Sequence, residues 1–283
     1  MKLINKEAEI FVPDNISEDQ AIKRTTHMGI CAHQDDLEVM AYDGILKCFR
    51  KEKKWFLGIV VTDGGGSPRS GIYANYSDKE MNVRRKLEQK KAAFIGEYGA
   101  AIQLDYKSSE VKDSRKNNIV KEIKNLIIDA RPDIIYTHNL ADKHDTHVGV
   151  GLKVIQALRE IPKKTHPKKI YGCEVWRGLD WLMDDDKIMF DVSLHPNIAC
   201  SLLGVFDSQI SGGKRYNNAT IGRRVANATF DETHKTDKAT DIIYAMDLTP
   251  LISDIDSDIT KYILNYINNF KDNIINRIKY LSI

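Results

Sequence analysis

The chain alternates short, almost wholly apolar runs with longer stretches in which apolar residues recur every three or four positions. A continuous apolar run of four to eight residues suits a strand buried on both faces, and the wider period suits a helix with one apolar stripe. The first run ends in Gly29-Ile-Cys-Ala-His-Gln-Asp-Asp-Leu-Glu38, and a helix-period segment follows over 37–49. The second, Phe56-Leu-Gly-Ile-Val-Val61, stops at Thr62-Asp-Gly-Gly-Gly66. Next come a helix over 82–96 stopped by Gly96, a weaker strand over 101–105, an amphipathic helix over 119–130 closed before Pro132, a strand over 133–137 and a helix over 148–159. Ahead of them, Ile10-Phe-Val12 halted by Pro13, with Ser17-Glu-Asp-Gln20 in capping-box form, reads as an entry arm. Strands alternating with helices predict right-handed crossovers and an α/β fold, a Rossmann-like three-layer sandwich around a mostly parallel sheet.

The pattern loosens after residue 169. Strands are expected over 170–176 and 187–192, and 259–281 carries Ile263, Tyr266, Ile267, Phe270, Ile274, Ile278 and Leu281 at helical spacing. This part reads as a C-terminal α+β extension. Its last helix is expected to pack on the body of the protein or on another subunit, which leaves a homo-oligomer open. Between these elements, Asp207-Ser-Gln209, Lys214-Arg-Tyr216 and Gly222-Arg-Arg224 form a polar stretch able to fold over a site and select a substrate.

The 283 residues suit one domain with a core over about 25–165 and a variable part over about 166–283. Lys+Arg 42 against Asp+Glu 40 leaves a net charge of +2, and the lysine-rich runs at 50–54 and 163–169 are not interleaved with aromatics. They read as solvated faces, so no nucleic-acid partner is expected. No apolar run approaches the ~20 residues of a membrane span, and the N-terminus lacks the apolar core of a signal peptide, so a cytoplasmic protein without a membrane partner is expected. Cys31, Cys48, Cys173 and Cys200 are scattered, which suggests neither a disulfide framework nor a cysteine metal site.

Two polar clusters follow apolar strands. In the first, His33 and Asp36 stand three apart across a strand-to-helix turn and can point to one side, so Asp35 has to point elsewhere. One aspartate can then ligate a metal while its neighbour transfers protons. In the second, His138-Asn-Leu-Ala-Asp-Lys-His-Asp-Thr-His147, His144 and His147 are again three apart. Strand ends of one sheet converge on a crevice, so His33, Asp36 and one histidine of the second cluster would form the ligand class of a catalytic zinc site. Read singly, each cluster has a plainer reading: aspartates capping a helix, or loop histidines beside Asp145 and Thr146. Arg85 and Glu88 read singly are an i,i+3 surface pair. The glycines 64–66 lack G-x-G-x-x-G spacing and read as a loop beside the site rather than a phosphate cradle.

Taken together and in this order, the clusters resemble those of the PIG-L or LmbE-like zinc-dependent N-deacetylases. Ala32-His-Gln-Asp-Asp-Leu-Glu38 matches the family's Ala-His-Pro-Asp-Asp-x-Glu, and His144-Asp-Thr-His147 its His-x-Asp-His, while Thr62-Asp-Gly64 and Arg85-x-x-Glu88 match the motifs between. The resemblance covers roughly the first 160 residues. It implies that His33, Asp36 and His147 hold Zn2+, that Asp35 is the general base, that His144 steadies the tetrahedral intermediate and that Arg85 binds substrate. The implied activity is removal of an N-acyl group, acetyl above all, from a small-molecule amino sugar such as N-acetylglucosamine or its conjugate, by attack of zinc-bound water. Gln34 in the proline position loses only a rigid turn residue. Thr146 in the aspartate position removes a carboxylate that would orient a histidine, a task open to Asp142 or Asp145. The alternatives are a nucleotide-binding α/β module and a metal-binding protein without catalysis.

Overall fold

The computed structural model describes residues 3–282. In chain order the strands are β1 (Glu9–Phe11), β2 (His27–Cys31), β3 (Phe56–Thr62), β4 (Ala100–Tyr106), β5 (Ile134–His138), β6 (Lys169–Cys173), β7 (Ile188–Asp191) and β8 (Ile242–Asp247). The helices are α1 (Glu18–Lys23), α2 (Asp36–Met40), α3 (Tyr42–Cys48), α4 (Asp78–Ile95), α5 (Ser108–Lys112), α6 (Asn117–Ala130), α7 (Asp145–Arg159), α8 (Pro196–Gly204), α9 (Asp207–Ile210), α10 (Tyr216–Phe230), α11 (Pro250–Ser253) and α12 (Ile259–Leu281). One eight-stranded sheet runs β1-β4-β3-β2-β5-β6-β8-β7. The five central strands, β4 to β6 in that order, pair in parallel, and β1 and the β8–β7 pair close the two edges antiparallel. The expected entry arm is therefore an edge strand, and β8 with α8 and α10 is structure that the apolar pattern did not mark.

Every residue of β2 and β3 is buried, because successive side chains face helices on both sides of the sheet. Met28 and Ile30 join one core with Leu57, Ile59, and the apolar faces of α6 and α7. Cys31 joins the other with Leu37, Met40 and Ile45 of α2 and α3 and Ala92 and Ala93 of α4. This is the three-layer arrangement the alternation predicts. From β2 the chain builds outward through β3 and β4, then returns to the far side of β2 for β5, so the strand order switches direction between β2 and β5. Loops leaving such neighbours diverge and open a crevice at their carboxyl ends. Both polar clusters of the sequence leave the sheet there.

Helix α12 packs on the body only through its first half, by Ile259, Tyr262, Ile263 and Tyr266. Phe270 reaches Trp181 at 6.4 Å between ring centroids. Ile267, Ile274, Ile278 and Leu281 stay exposed. Among the described residues no helix is long and apolar enough to cross a membrane.

Candidate active site

The turn after β2 sorts the two aspartates by backbone conformation. Asp35 adopts φ 93°, ψ −29° as the residue before α2, a left-handed conformation that non-glycine residues seldom take and that aspartate tolerates better than most. Asp36 opens α2, and its Oδ2 accepts the His33 backbone N–H at 2.7 Å while its own N–H donates to the His33 carbonyl at 3.3 Å. Around the same Oδ2 stand His33 Nδ1 at 3.3 Å and His147 Nε2 at 3.4 Å, and the two ring nitrogens are 3.2 Å apart. Three corners of a tetrahedron whose centre lies about 2.0–2.1 Å from each are about 3.3 Å apart. The donor set, one carboxylate and two imidazoles at this spacing, fits a zinc ion with a fourth position open. His33, Asp36 and His147 are the one such cluster found among the described residues.

Burial alone would raise the Asp36 pKa, yet the imidazoles of His147, His33 and His138 hold it well below the usual carboxylate range. Asp35 goes the other way: burial pushes its carboxyl well above that range, and the Arg85 guanidinium, 3.4 Å from Oδ2, opposes the shift. Adjacent in sequence, the two carboxyls are therefore shifted in opposite directions.

His147 lies in the first turn of α7 and is fully buried, whereas His144 is the residue before it. The His144 ring stacks on His147 at 4.5 Å and meets the edge of His33 at 5.1 Å, so it lies beside the cluster and lines the cavity rather than joining the three. Burial first, then the charges of His147 and His33, lower its pKa to about 4. At neutral pH it is an uncharged imidazole with an N–H to donate. Of the two carboxylates open to the task that Thr146 leaves, Asp142 is the one near His147: its Oδ2 stands 3.6 Å from His147 Nδ1, and it accepts the backbone N–H groups of His144 at 2.9 Å and Trp176 at 3.0 Å. Asp145 does not serve, since it is exposed at the start of α7.

Arg85 is 4% exposed and turned inward, where it donates to the Gln34 and Gly64 carbonyls. It does not pair with Glu88. That carboxylate, also buried, takes Arg84 Nε at 2.9 Å and the backbone N–H and hydroxyl of Ser208. The surface-pair reading of Arg85 and Glu88 is thus corrected, because α4 presents both to the interior. Gln34 does more than stand in for a proline: its amide donates to the Thr62 carbonyl and to Gln103, filling the space under Gly64. A Cβ on Gly64, at φ +65°, would come within 2.2 Å of Gln34 Oε1. The glycines 64–66 are the loop beside the site, with Gly64 and Gly66 in the cavity wall.

His138, the last residue of β5, stands beside the cluster and was left unassigned by sequence reasoning. Fully buried, it accepts the Ala32 backbone N–H at Nε2 (2.9 Å), stacks on His147 at 3.9 Å and stands 3.5 Å from Asp36 Oδ2. With Nε2 so engaged, it positions the turn after β2 and the His147 ring. Its signal was the register, one residue beyond an apolar strand at the sheet's switch point.

The cavity holds about 490 Å³, and its lining includes His33, Asp35, Asp36, Arg85, His144 and Thr146. The variable half supplies Val175, Trp176, Gln209, Lys214 and Tyr216, and α5 supplies Ser108 and Lys112. Residues 28–158 match the family model of PIG-L, GlcNAc-PI de-N-acetylase. In structure the chain is similar to the N,N'-diacetylchitobiose deacetylase of Pyrococcus horikoshii, with a TM-score of 0.63 at 12% identity over 86% of this chain and 91% of that one. It is similar also to the A40926 pseudoaglycone deacetylase Dbv21, with a TM-score of 0.58 at 15% identity over 79% and 97%. A third neighbour is GalB, the 4-carboxy-2-hydroxymuconate hydratase of Pseudomonas putida KT2440, with a TM-score of 0.57 at 12% identity over 79% and 95%. At these identities the likeness shows a shared fold alone. No curated protein matches the chain by sequence.

Proposed function

We propose that this protein is a zinc-dependent N-deacetylase acting on an N-acylated amino sugar or its conjugate, N-acetylglucosamine being the simplest such unit. The observation that carries the reading is the convergence of one carboxylate oxygen and two ring nitrogens at 3.2–3.4 Å, beside a second carboxylate held out of that cluster by a left-handed backbone. The match of residues 28–158 to the PIG-L family model and the deacetylases among the structural neighbours support the amide-hydrolysing direction.

His33, Asp36 and His147 would hold the ion. Zinc, when bound, supplies Lewis acidity, polarising the amide carbonyl and acidifying water. Asp35 accepts the proton of the attacking water and returns it to the departing amine nitrogen. Burial and Arg85 act on its pKa in opposite senses, which suits a carboxyl that must both take and release a proton. His144, neutral at pH 7, donates its N–H to the carbonyl oxygen as that oxygen gains charge, a contribution commonly worth roughly 3 kcal/mol. Arg85 holds substrate oxygens through a fork fixed by the carbonyls of Gln34 and Gly64.

Incubation of the zinc-loaded protein with N-acetylglucosaminides should release acetate and free amine in equal amounts. Asp35→Asn should keep its zinc and lose about 10²–10⁴-fold in kcat/KM. Full activity in that variant would sink the mechanism; no acetate from any such glycoside would sink the function. The hydratase among the neighbours makes addition of water without amide cleavage the competing reading, and one-to-one release of acetate and amine separates the two.

A further inference from the structure

One cation of the C-terminal half is shut away from solvent. Within the polar stretch 222–224, Arg224 of α10 turns inward and is 2% exposed. Burial pulls its pKa down to about 10, which leaves it charged at neutral pH. Taking a guanidinium out of water is costly unless its donors are met. Among the described residues no carboxylate pairs with it; Nη2 instead donates to the backbone carbonyls of Glu38 at 2.7 Å and Val39 at 3.3 Å. Its Cζ stands 4.7 Å from the centre of the Tyr42 ring.

These contacts straddle the break between α2 and α3. Ala41, at φ −109° and ψ 18°, leaves the helical conformation there. In an unbroken helix the carbonyls of Glu38 and Val39 would accept the N–H groups four residues on. At the break they take the guanidinium, which also meets the ring of Tyr42, the first residue of α3. The same helix is tied from its other side. Gln89 of α4 accepts the Asp35 N–H at 3.3 Å and donates to Glu38 Oε1 at 2.8 Å, and Tyr98 donates to that oxygen at 2.6 Å. Gln89 and Tyr98 lie within the matched segment 28–158, and Arg224 lies outside it. Helix α2 has only five residues and begins with Asp36, so a shift at its carboxyl end passes to Asp36 and to Asp35 before it.

We infer that Arg224 is a positioning residue for the turn that carries the metal ligands: it stands in for the helical partners of Glu38 and Val39, fixes the direction of α2, and so holds Asp36 among the ligands and Asp35 outside them. The site is then incomplete without α10, and the C-terminal half completes the turn rather than only lining the cavity. For Asp35 this rests on the deacetylase reading above; for Asp36 it rests on the geometry of the cluster alone.

The test compares three variants of the full chain. Arg224→Lys keeps the charge but not the planar fork, and Arg224→Gln keeps a planar N–H donor but not the charge. Tyr244→Phe removes the bond from β8 to the Asn227 carbonyl of α10 (2.9 Å) and so controls for a general loosening of α10. Zinc affinity is measured by competition with a chelator, alongside Tm and steady-state kinetics on an N-acetylglucosaminide. In both Arg224 variants the Kd for zinc should rise roughly tenfold, and kcat should fall roughly tenfold with KM within about twofold. Tyr244→Phe should lower Tm through its lost hydrogen bond and keep zinc affinity and kcat within about twofold. Parent-like zinc affinity in both Arg224 variants, or equal losses in Tyr244→Phe, would overturn the inference. Failure of both Arg224 variants to fold, beside a folded Tyr244→Phe protein, would overturn it too, since Arg224 would then serve stability. Weakened zinc binding in the Arg224 variants of a parent that releases no acetate would uphold the role at Asp36 and sink the deacetylase reading instead.

Discussion

At the scale of single residues, the site depends on one backbone angle and a few buried partners. Were Asp35 in an ordinary helical conformation, it would continue α2 alongside Asp36; its φ of 93° is what frees it from that direction. Arg85 illustrates how burial changes a prediction. From sequence, Arg84 beside it serves as a silent control, yet Arg84 pairs with buried Glu88 and lies 5.8 Å from the Tyr73 ring. Exposed Lys91 is the better control. Arg85→Lys should lower kcat/KM roughly tenfold or more without loss of zinc, because an ammonium cannot serve two carbonyls and face Asp35 with the geometry of a planar fork. Lys91→Ala should leave the rate within about twofold. Equal effects at the two positions would remove Arg85 from substrate binding.

At the scale of elements, the strands β2 to β5 and the helices α4, α6 and α7 were legible because each strand is a buried apolar run and each of these helices shows its stripe, whereas the one helix expected over 37–49 is broken at Ala41 into α2 and α3, and α5 was not read. Helix α4 begins at Asp78 rather than near residue 82: Ser77 and Glu80 form a capping box there, a local signal that carries no apolar residue. Strand β8 went unread because Ile242–Asp247 pairs antiparallel with both β6 and β7, and a short run after a polar stretch has no crossover helix to announce it. The strap from Asp207 to Tyr216 was read as able to cover the site; unreadable was its anchor. Ser208 donates its N–H and hydroxyl to Glu88, Tyr73 donates to Asp207, and Gln209 donates to Ser67. Through Glu88, a residue of the matched family segment holds the variable half that brings Gln209, Lys214 and Tyr216 to the cavity. Ser208→Ala removes one buried hydrogen bond, about 1 kcal/mol, and should raise KM several-fold with kcat within about twofold and zinc content unchanged. An unchanged KM would mean that α9 holds the strap no more firmly than its other contacts do.

At the scale of the whole molecule, the metal cluster joins two parts of the chain that the sheet brings together only at its switch point. His33 and Asp36 belong to the turn after β2, and His147 to α7, which follows β5. The parallel pairing of β2 and β5 covers three register positions, and beyond it the Ala32 to His138 hydrogen bond continues the join. An ion bound to all three ligands would therefore act as a cross-link between the two halves of the sheet. Ligand binding to the folded state alone stabilises it by RT ln(1 + [L]/Kd), about 2.7 kcal/mol at a hundredfold excess over Kd. For a protein larger than about 150 residues each kcal/mol moves Tm by roughly 2–4 °C. Addition of zinc to metal-free protein should thus raise Tm by several degrees, and chelation should reverse the shift. His147→Ala should abolish the zinc-dependent shift, since two remaining ligands hold the ion poorly, whereas His144→Ala should retain it, because that ring lies outside the three. If His144→Ala instead lost the shift and His147→Ala kept it, the ligand from the second cluster would be His144, and the 3.2–3.4 Å spacing around Asp36 would have another cause.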